Sequence, residues 1–385
     1  MLKKHLLIVC DSVPGALTST GAMIDSLCQE FARMGYTTTI AGIGSEPVAS
    51  EYRWVVKASG LKSNRLTVRV LAELGASLWL GVRLVLGLAT GRLERPCGIV
   101  LFTPSLFLCL PAAAVKAASA CPLYMVQRDI VPDWLVESGR AKSGVAVKTL
   151  YALKHFSLRH ADHVGIECLE NMRFFPERFR DKISILHNWR DFRNGVYVEP
   201  PASDDVTFIY GGRVGQVQGF DRFLRAFARL RHPRARLKVY CDDRGRTEID
   251  AMALGRTAME RIDILPMMPE PRFIKEAAGA WFGVVTLSPD MQTHNIPGKM
   301  LTYLAAGIPV FAIGPRDAAL ARTVEQMDIG CYVHASDEQA VQQALLKLIE
   351  RPDRRTDDRQ SLVRAREVFS PVATVQSILA RLGAR

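Results

Sequence analysis

Apolar runs of four to seven residues recur along the chain, at His5 to Cys10, Thr37 to Ile43, Gly98 to Thr103, Leu123 to Gln127, His163 to Glu167 and Ile183 to Leu186. They return at Val206 to Tyr210, Leu237 to Cys241, Ile262 to Leu265, Gly283 to Leu287 and Pro309 to Ile313. Runs this short, without polar alternation, predict strands covered on both faces, as in a parallel sheet. Between them the period lengthens to that of a helix. Ile24, Leu27, Cys28 and Phe31 share one face and end before Gly35, and Phe220, Phe223, Leu224, Phe227 and Leu230 form a second such face. A strand–helix rhythm repeated through two halves predicts an α/β fold of two doubly wound, Rossmann-like domains facing each other across a cleft.

The rhythm breaks at Asn194 to Asp205, where Pro200, Pro201, Ser203 and two aspartates give the chemistry of a linker. The expected division is a first domain over 1–193, a linker over 194–205, a second domain over 206–360 and a final helix in 361–385 able to cross back to the first. Two stretches are long and apolar enough to raise a membrane span. Residues 67 to 91 carry Arg69, Glu73 and Arg83, and Cys97 to Val115 is interrupted by Pro104 and Pro111, so neither predicts a good spanning helix. The first reads either as an amphipathic helix lying on a bilayer, with Arg65, Arg69, Arg83, Arg92 and Arg95 as interfacial cations, or as a long core helix.

Composition narrows the class without choosing the chemistry. With 385 residues, 48% hydrophobic and 23% charged, the chain predicts ordered domains rather than disorder. Its net charge of +11 favours anionic partners: phosphorylated small molecules, nucleic acid or an acidic membrane face. The basic residues are dispersed, with no recognition helix and no aromatic-basic platform, which argues against nucleic acid. The eight cysteines are also dispersed and predict reduced core thiols. Leu6 to Cys10 meets Asp11 too soon for a signal peptide and predicts a buried strand.

Two segments carry the chemistry. In the first, Phe208 to Tyr210 runs into Gly211-Gly212-Arg213 and a loop bearing Gly215, Gln216, Gln218 and Gly219 before the next helix. Glycine permits close backbone approach to a diphosphate, and arginine supplies a fixed bidentate charge. Neither the Walker nor the dinucleotide fingerprint is present. In the second, His294-Asn295-Ile296-Pro297-Gly298-Lys299 leads into a helix through Tyr303 that stops at Gly307. Its N-terminal amides and Lys299 can hold a second phosphate. The plain structural alternatives are a glycine turn with a surface arginine and a capping loop with a solvated lysine.

Together these segments resemble the C-terminal domain of retaining GT-B glycosyltransferases of family 4, in particular the WbuB-like branch of bacterial O-antigen and capsule assembly. The resemblance rests on Gln216-Val217-Gln218-Gly219 and on Pro297-Gly298-Lys299 followed by Tyr303, Ala305, Ala306, Gly307, Pro309 and Val310. It extends to Gln127-Arg128-Asp129-Ile130 through Asp133, to Leu186-His187-Asn188-Trp189, and weakly to the glycine loop Thr18-Ser19-Thr20-Gly21. It implies a GT-B fold and transfer of a sugar from a UDP- or GDP-sugar to a lipid-linked or saccharide acceptor, with retention at the anomeric carbon. On that basis Arg213, Lys299 and the amides of Asn295 to Gly298 stabilise the leaving diphosphate, and Asp129 orients the acceptor; Asp129 as a helix N-cap is the plain alternative. Gly21, Gly212, Gln218, His294, Ile296, Pro297 and Thr302 complete the expected donor site.

The chain also departs from the family. Two glutamates eight positions apart are replaced by His294 and Thr302, and Arg128 intrudes beside Asp129. Cations in place of a metal imply metal-independent transfer with no cofactor, and the resemblance implies a peripheral enzyme on the cytoplasmic face of the inner membrane. A sugar-nucleotide epimerase of the same fold and a catalytically silent subunit of a membrane assembly complex remain as other readings.

Overall fold

In a computed structural model the chain is described except at residues 1–3, 12–18, 45–53, 58–65, 104, 138, 140, 142–143, 194, 196–203, 216–217, 291–294, 351–358 and 384–385. It divides into two compact units, Met1–Asp191 with Pro371–Arg385, and Phe192–Ser370. Each is built on one parallel sheet.

The first unit runs β1 (Lys4–Cys10), α1 (Ser19–Arg33), β2 (Tyr36–Gly44), β3 (Trp54–Lys57), α2 (Leu66–Ala89), β4 (Gly98–Phe102), α3 (Cys109–Ser119), β5 (Leu123–Gln127), α4 (Asp133–Glu137), α5 (Val145–His160), β6 (His163–Ile166) and β7 (Ile183–Ile185). Its strands lie in the order β3-β2-β1-β4-β5-β6-β7. One side chain face of β1, Leu7 and Val9, joins a core with Leu80, Leu84, Leu101 and Val115. The other, Leu6 and Ile8, packs with Ile24, Leu27, Phe31 and Trp189. Burial on both faces is why these strands read as continuous apolar runs.

The second unit runs β8 (Val206–Gly211), α6 (Phe220–Arg229), β9 (Ala235–Cys241), α7 (Asp243–Asp250), α8 (Arg256–Met259), β10 (Ile262–Pro266), α9 (Glu270–Ala278), β11 (Phe282–Thr286), α10 (Gly298–Ala306), β12 (Val310–Gly314), α11 (Ala319–Gln326), β13 (Gly330–His334), α12 (Glu338–Glu350) and α13 (Arg359–Val368). The sheet order is β10-β9-β8-β11-β12-β13. The apolar face of α6 seats Phe220, Phe223 and Phe227 in a core with Phe208 and Phe311.

Two strands have no counterpart in the sequence pattern, β3 and β13, and both are sheet edges. Edge strands are covered less completely, and every residue of β13 is only half-buried, so the apolar run that marks an inner strand is missing. The single helix expected over 361–385 is a further correction. It is two helices, α13 and α14 (Pro371–Leu382), separated at Phe369–Ser370. Pro371 cannot donate a helical hydrogen bond and so starts a helix instead of continuing one. Arg366 of α13 donates to the Leu304 carbonyl in the second unit at 2.7 Å, whereas Val375, Ile378 and Leu379 of α14 enter the core with Leu6 and Ile24 of the first. Most of the expected linker lies outside the described residues.

Candidate active site

In the second sheet the strand order reverses between β8 and β11, and in open α/β sheets the crevice beyond the carboxyl ends at such a point is where ligands bind. The chain leaving β8 is shaped for close approach. Gly212 has φ +134°, and a Cβ there would lie 2.6 Å from Cε of Lys299. Gly219 has φ +60°, and a Cβ there would lie 2.9 Å from Cα of Ser288 in the loop after β11. The two glycines thus let Lys299 reach the end of β8 and let the two loops pack backbone to backbone.

Lys299 is the second residue of α10, and its ammonium lies 4.9 Å from the centre of the Tyr210 ring. The ring is fixed because the Tyr210 hydroxyl donates to the Arg213 carbonyl at 2.5 Å. Burial pushes the Lys299 ammonium down to about 8. It has no carboxylate partner among the described residues; its neighbours are an aromatic face and the Gly212 backbone. A desolvated cation without a counter-ion is an anion site in waiting, since an incoming phosphate would supply the missing charge.

The helix bearing it is tied to β8, where Tyr303 Oη accepts from the Gly211 N–H at 3.2 Å. Its N-cap, Pro297, offers no side-chain hydrogen bond, so the first-turn amides of Gly298 and Lys299 have no cap. Ile296 is buried, and Asn295 Oδ1 is a buried acceptor without a hydrogen-bond partner among the described residues. A ligand hydroxyl donating to Asn295 Oδ1 would satisfy that acceptor.

Arg213 is exposed beside this group. Gln218 folds over its own turn, with its N–H on the Gly215 carbonyl at 3.1 Å. Thr302 is buried, and its hydroxyl lies 3.1 Å from Oε1 of Glu270 and 3.3 Å from the Gly298 carbonyl. Sequence reasoning missed Glu270. It stands 32 residues from Thr302 on another helix, and no local spacing signals the pair. His294 lies outside the described residues. Asp242 accepts from the Gly245 N–H at 2.8 Å as the N-cap of α7.

Gly21 and Asp129 belong to the first unit. Gly21 is buried in the first turn of α1, and Asp129 follows β5. The turn around Asp129 is held by Gln127, whose Nε2 donates to the Asp129 carbonyl at 2.5 Å. Beyond it, buried Lys154 pairs with half-buried Asp133 at the start of α4 at 2.6 Å. α4 starts four residues beyond Asp129, so this carboxylate caps no described helix. Its pKa is raised by burial against a smaller opposing pull from Arg128. Asp11, just past β1, is raised to about 6, first by burial and then by the charges of Glu73 and Asp129. Arg128, the departure noted in the sequence, bonds inward to Glu167 at 3.3 Å and to Asn188.

Comparison with known proteins fits this geometry. Residues 205–351 match the family described as glycosyl transferases group 1. The probable glycosyltransferase WbjE of Pseudomonas aeruginosa is 22% identical over 367 residues, covering 90% of each chain. Anabaena HepE in complex with UDP-glucose superposes with a TM-score of 0.65 at 14% identity, over 99% of this chain and 100% of that one. The lipopolysaccharide outer core galactosyltransferase WaaB, in its apo form, gives 0.65 at 13% identity over 99% of each. The fold is GT-B, with a Rossmann-like sheet in each unit. Residues 205–351 form a group 1 glycosyltransferase domain, and the chain is a glycosyltransferase.

Proposed function

We propose that the protein transfers a sugar from a UDP-sugar to a lipid-linked or saccharide acceptor in bacterial surface polysaccharide assembly, with retention at the anomeric carbon and without a metal. The observation that carries the reading is Lys299, a desolvated ammonium with no carboxylate partner among the described residues, set against Gly212 at the switch point of the second sheet. Breaking the bond between the anomeric carbon and the diphosphate leaves negative charge on the leaving group, and catalysis follows from donors placed where that charge grows. Lys299, the uncapped amides of Gly298 and Lys299, and exposed Arg213 are that set; Asn295 Oδ1 accepts from a donor hydroxyl. Retention follows if the acceptor hydroxyl attacks from the face the diphosphate leaves, giving its proton to the departing phosphate, with Asp129 orienting it. The UDP-glucose bound in HepE supports a UDP donor, and the likeness to WaaB supports a surface-polysaccharide acceptor. A GDP-sugar remains the alternative donor.

The test is a melting-temperature screen against UDP, GDP, CMP and NAD, followed by assignment of the product anomer by NMR. A ligand that binds only the native state raises the melting temperature by mass action. A rise with UDP and a product anomer matching the donor are the expected results. A rise with NAD alone, or an inverted product, would overturn the reading.

A further inference from the structure

Helix α2 buries one stripe and exposes another, and the exposed stripe is apolar. Ala76, Leu80 and Leu84 face the core of the first unit. On the opposite side Leu71 is 67% exposed, Leu78 53%, Trp79 56% and Leu86 57%, with Val68 before them and Val82 between them in the same row. Positions 68, 71, 75, 78, 79, 82 and 86 recur at helical spacing and include no charge. The row extends about 27 Å at 1.5 Å per residue. Beside it lies a groove of about 400 Å³ between α2 and α3, lined by Gly81, Val85 and Leu86 and by Leu110, Pro111 and Ala114.

The helix has the length and hydropathy of a span, but its inner stripe is core. Crossing a bilayer would strip that core from the sheet. Lying in the interface would leave it intact while covering the outer stripe. Trp79 sits at the middle of the row, the residue type that favours the headgroup level.

The charges around the stripe choose the occupant. Arg69 flanks its start, and Arg92 and Arg95 follow its end, against Glu73 and Glu94, while Arg83 lies over the ring of buried Trp54 at 5.9 Å. Glu73 is paired with Arg69 at 3.1 Å, and Arg95 is anchored on the carbonyls of Ala118 and Ser119. A second copy laid along the stripe, parallel or antiparallel, would bring arginines at both ends against arginines. An anionic bilayer meets the same arginines with opposite charge. We infer that the outer face of α2 is an in-plane membrane anchor that inserts Leu71, Leu78, Trp79, Val82 and Leu86 into an anionic leaflet, with the α2–α3 groove receiving an acyl chain. No part of this inference depends on the proposed sugar chemistry.

The experiment is flotation of the full chain with phosphatidylcholine vesicles, with and without phosphatidylglycerol, at low and high salt. Its partner is the triple variant Leu78→Gln, Trp79→Gln, Leu86→Gln, whose positions are all exposed. The wild type is expected to float with the anionic vesicles and to release at high salt, and the variant to bind at least roughly tenfold more weakly with unchanged charge. Brominated lipid should quench the wild type more strongly than Trp79→Phe, since Trp54, Trp189 and Trp281 are buried and half-buried Trp134 lies on α4, away from the stripe. Turnover of the triple variant on a water-soluble acceptor should match the wild type, which separates loss of the anchor from failure of the transfer reading. Equal binding by wild type and variant, no binding to anionic vesicles, or a dimer in sedimentation equilibrium that the variant dissolves would each overturn the inference.

Discussion

The carboxyl ends of the two sheets are built on the same strand order, and the ionisable groups that burial perturbs there are of opposite sign. At the end of β8 in the second unit sits a lysine whose proton affinity burial has lowered to about 8. At the ends of β1 and β5 in the first unit sit Asp11, raised to about 6, and Asp129, also raised. Both follow one rule: desolvation disfavours the charged form, whichever sign it has. A doubly wound sheet supplies the crevice, and the side chains placed there decide whether it attracts a phosphate or a group that donates protons.

The largest break in this comparison should come from Lys299→Ala. Turnover is expected to fall by roughly two orders of magnitude, with UDP affinity reduced and the far-UV circular dichroism unchanged. A variant with near wild-type turnover would remove the lysine from the site. Asp129→Asn should cut turnover less, by about tenfold, with UDP affinity unchanged, because the role proposed for it is to orient the acceptor and not to hold the diphosphate. The same substitution should raise the melting temperature at neutral pH. A carboxyl whose folded pKa is raised costs stability where it is ionised, and asparagine removes that cost. A lower melting temperature with unchanged turnover would make Asp129 a structural residue.

The smallest effect sharpens the contrast by pH. On the proposed reading UDP binds the protonated lysine and stabilises it, so affinity is expected to hold below about pH 8 and to weaken above it, by at most about tenfold per unit. Titration calorimetry of the wild type and Lys299→Ala reads this directly. A slope that survives in the variant would belong to another group.

Sequence alone determined the inner strands, the two-domain rhythm and the segments that end at Gly212 and begin at Lys299, because burial on both faces and glycine-bearing turns leave local marks. Residues 361–385 read as one helix by periodicity, although Pro371 marks a new start locally; the fold adds that α13 packs on one unit and α14 on the other. Tertiary structure alone brought Glu270 to Thr302 and laid Tyr210 beneath Lys299, since both pairings join elements far apart in the chain. It also separated the two faces of α2. The sequence there is apolar nearly all round, which suits a core helix and an interfacial one equally, and only the packing of Leu80 and Leu84 against the first core shows which stripe is left to the solvent. Local pattern records what a residue prefers, while the charge and exposure it ends with depend on neighbours that only the folded chain supplies.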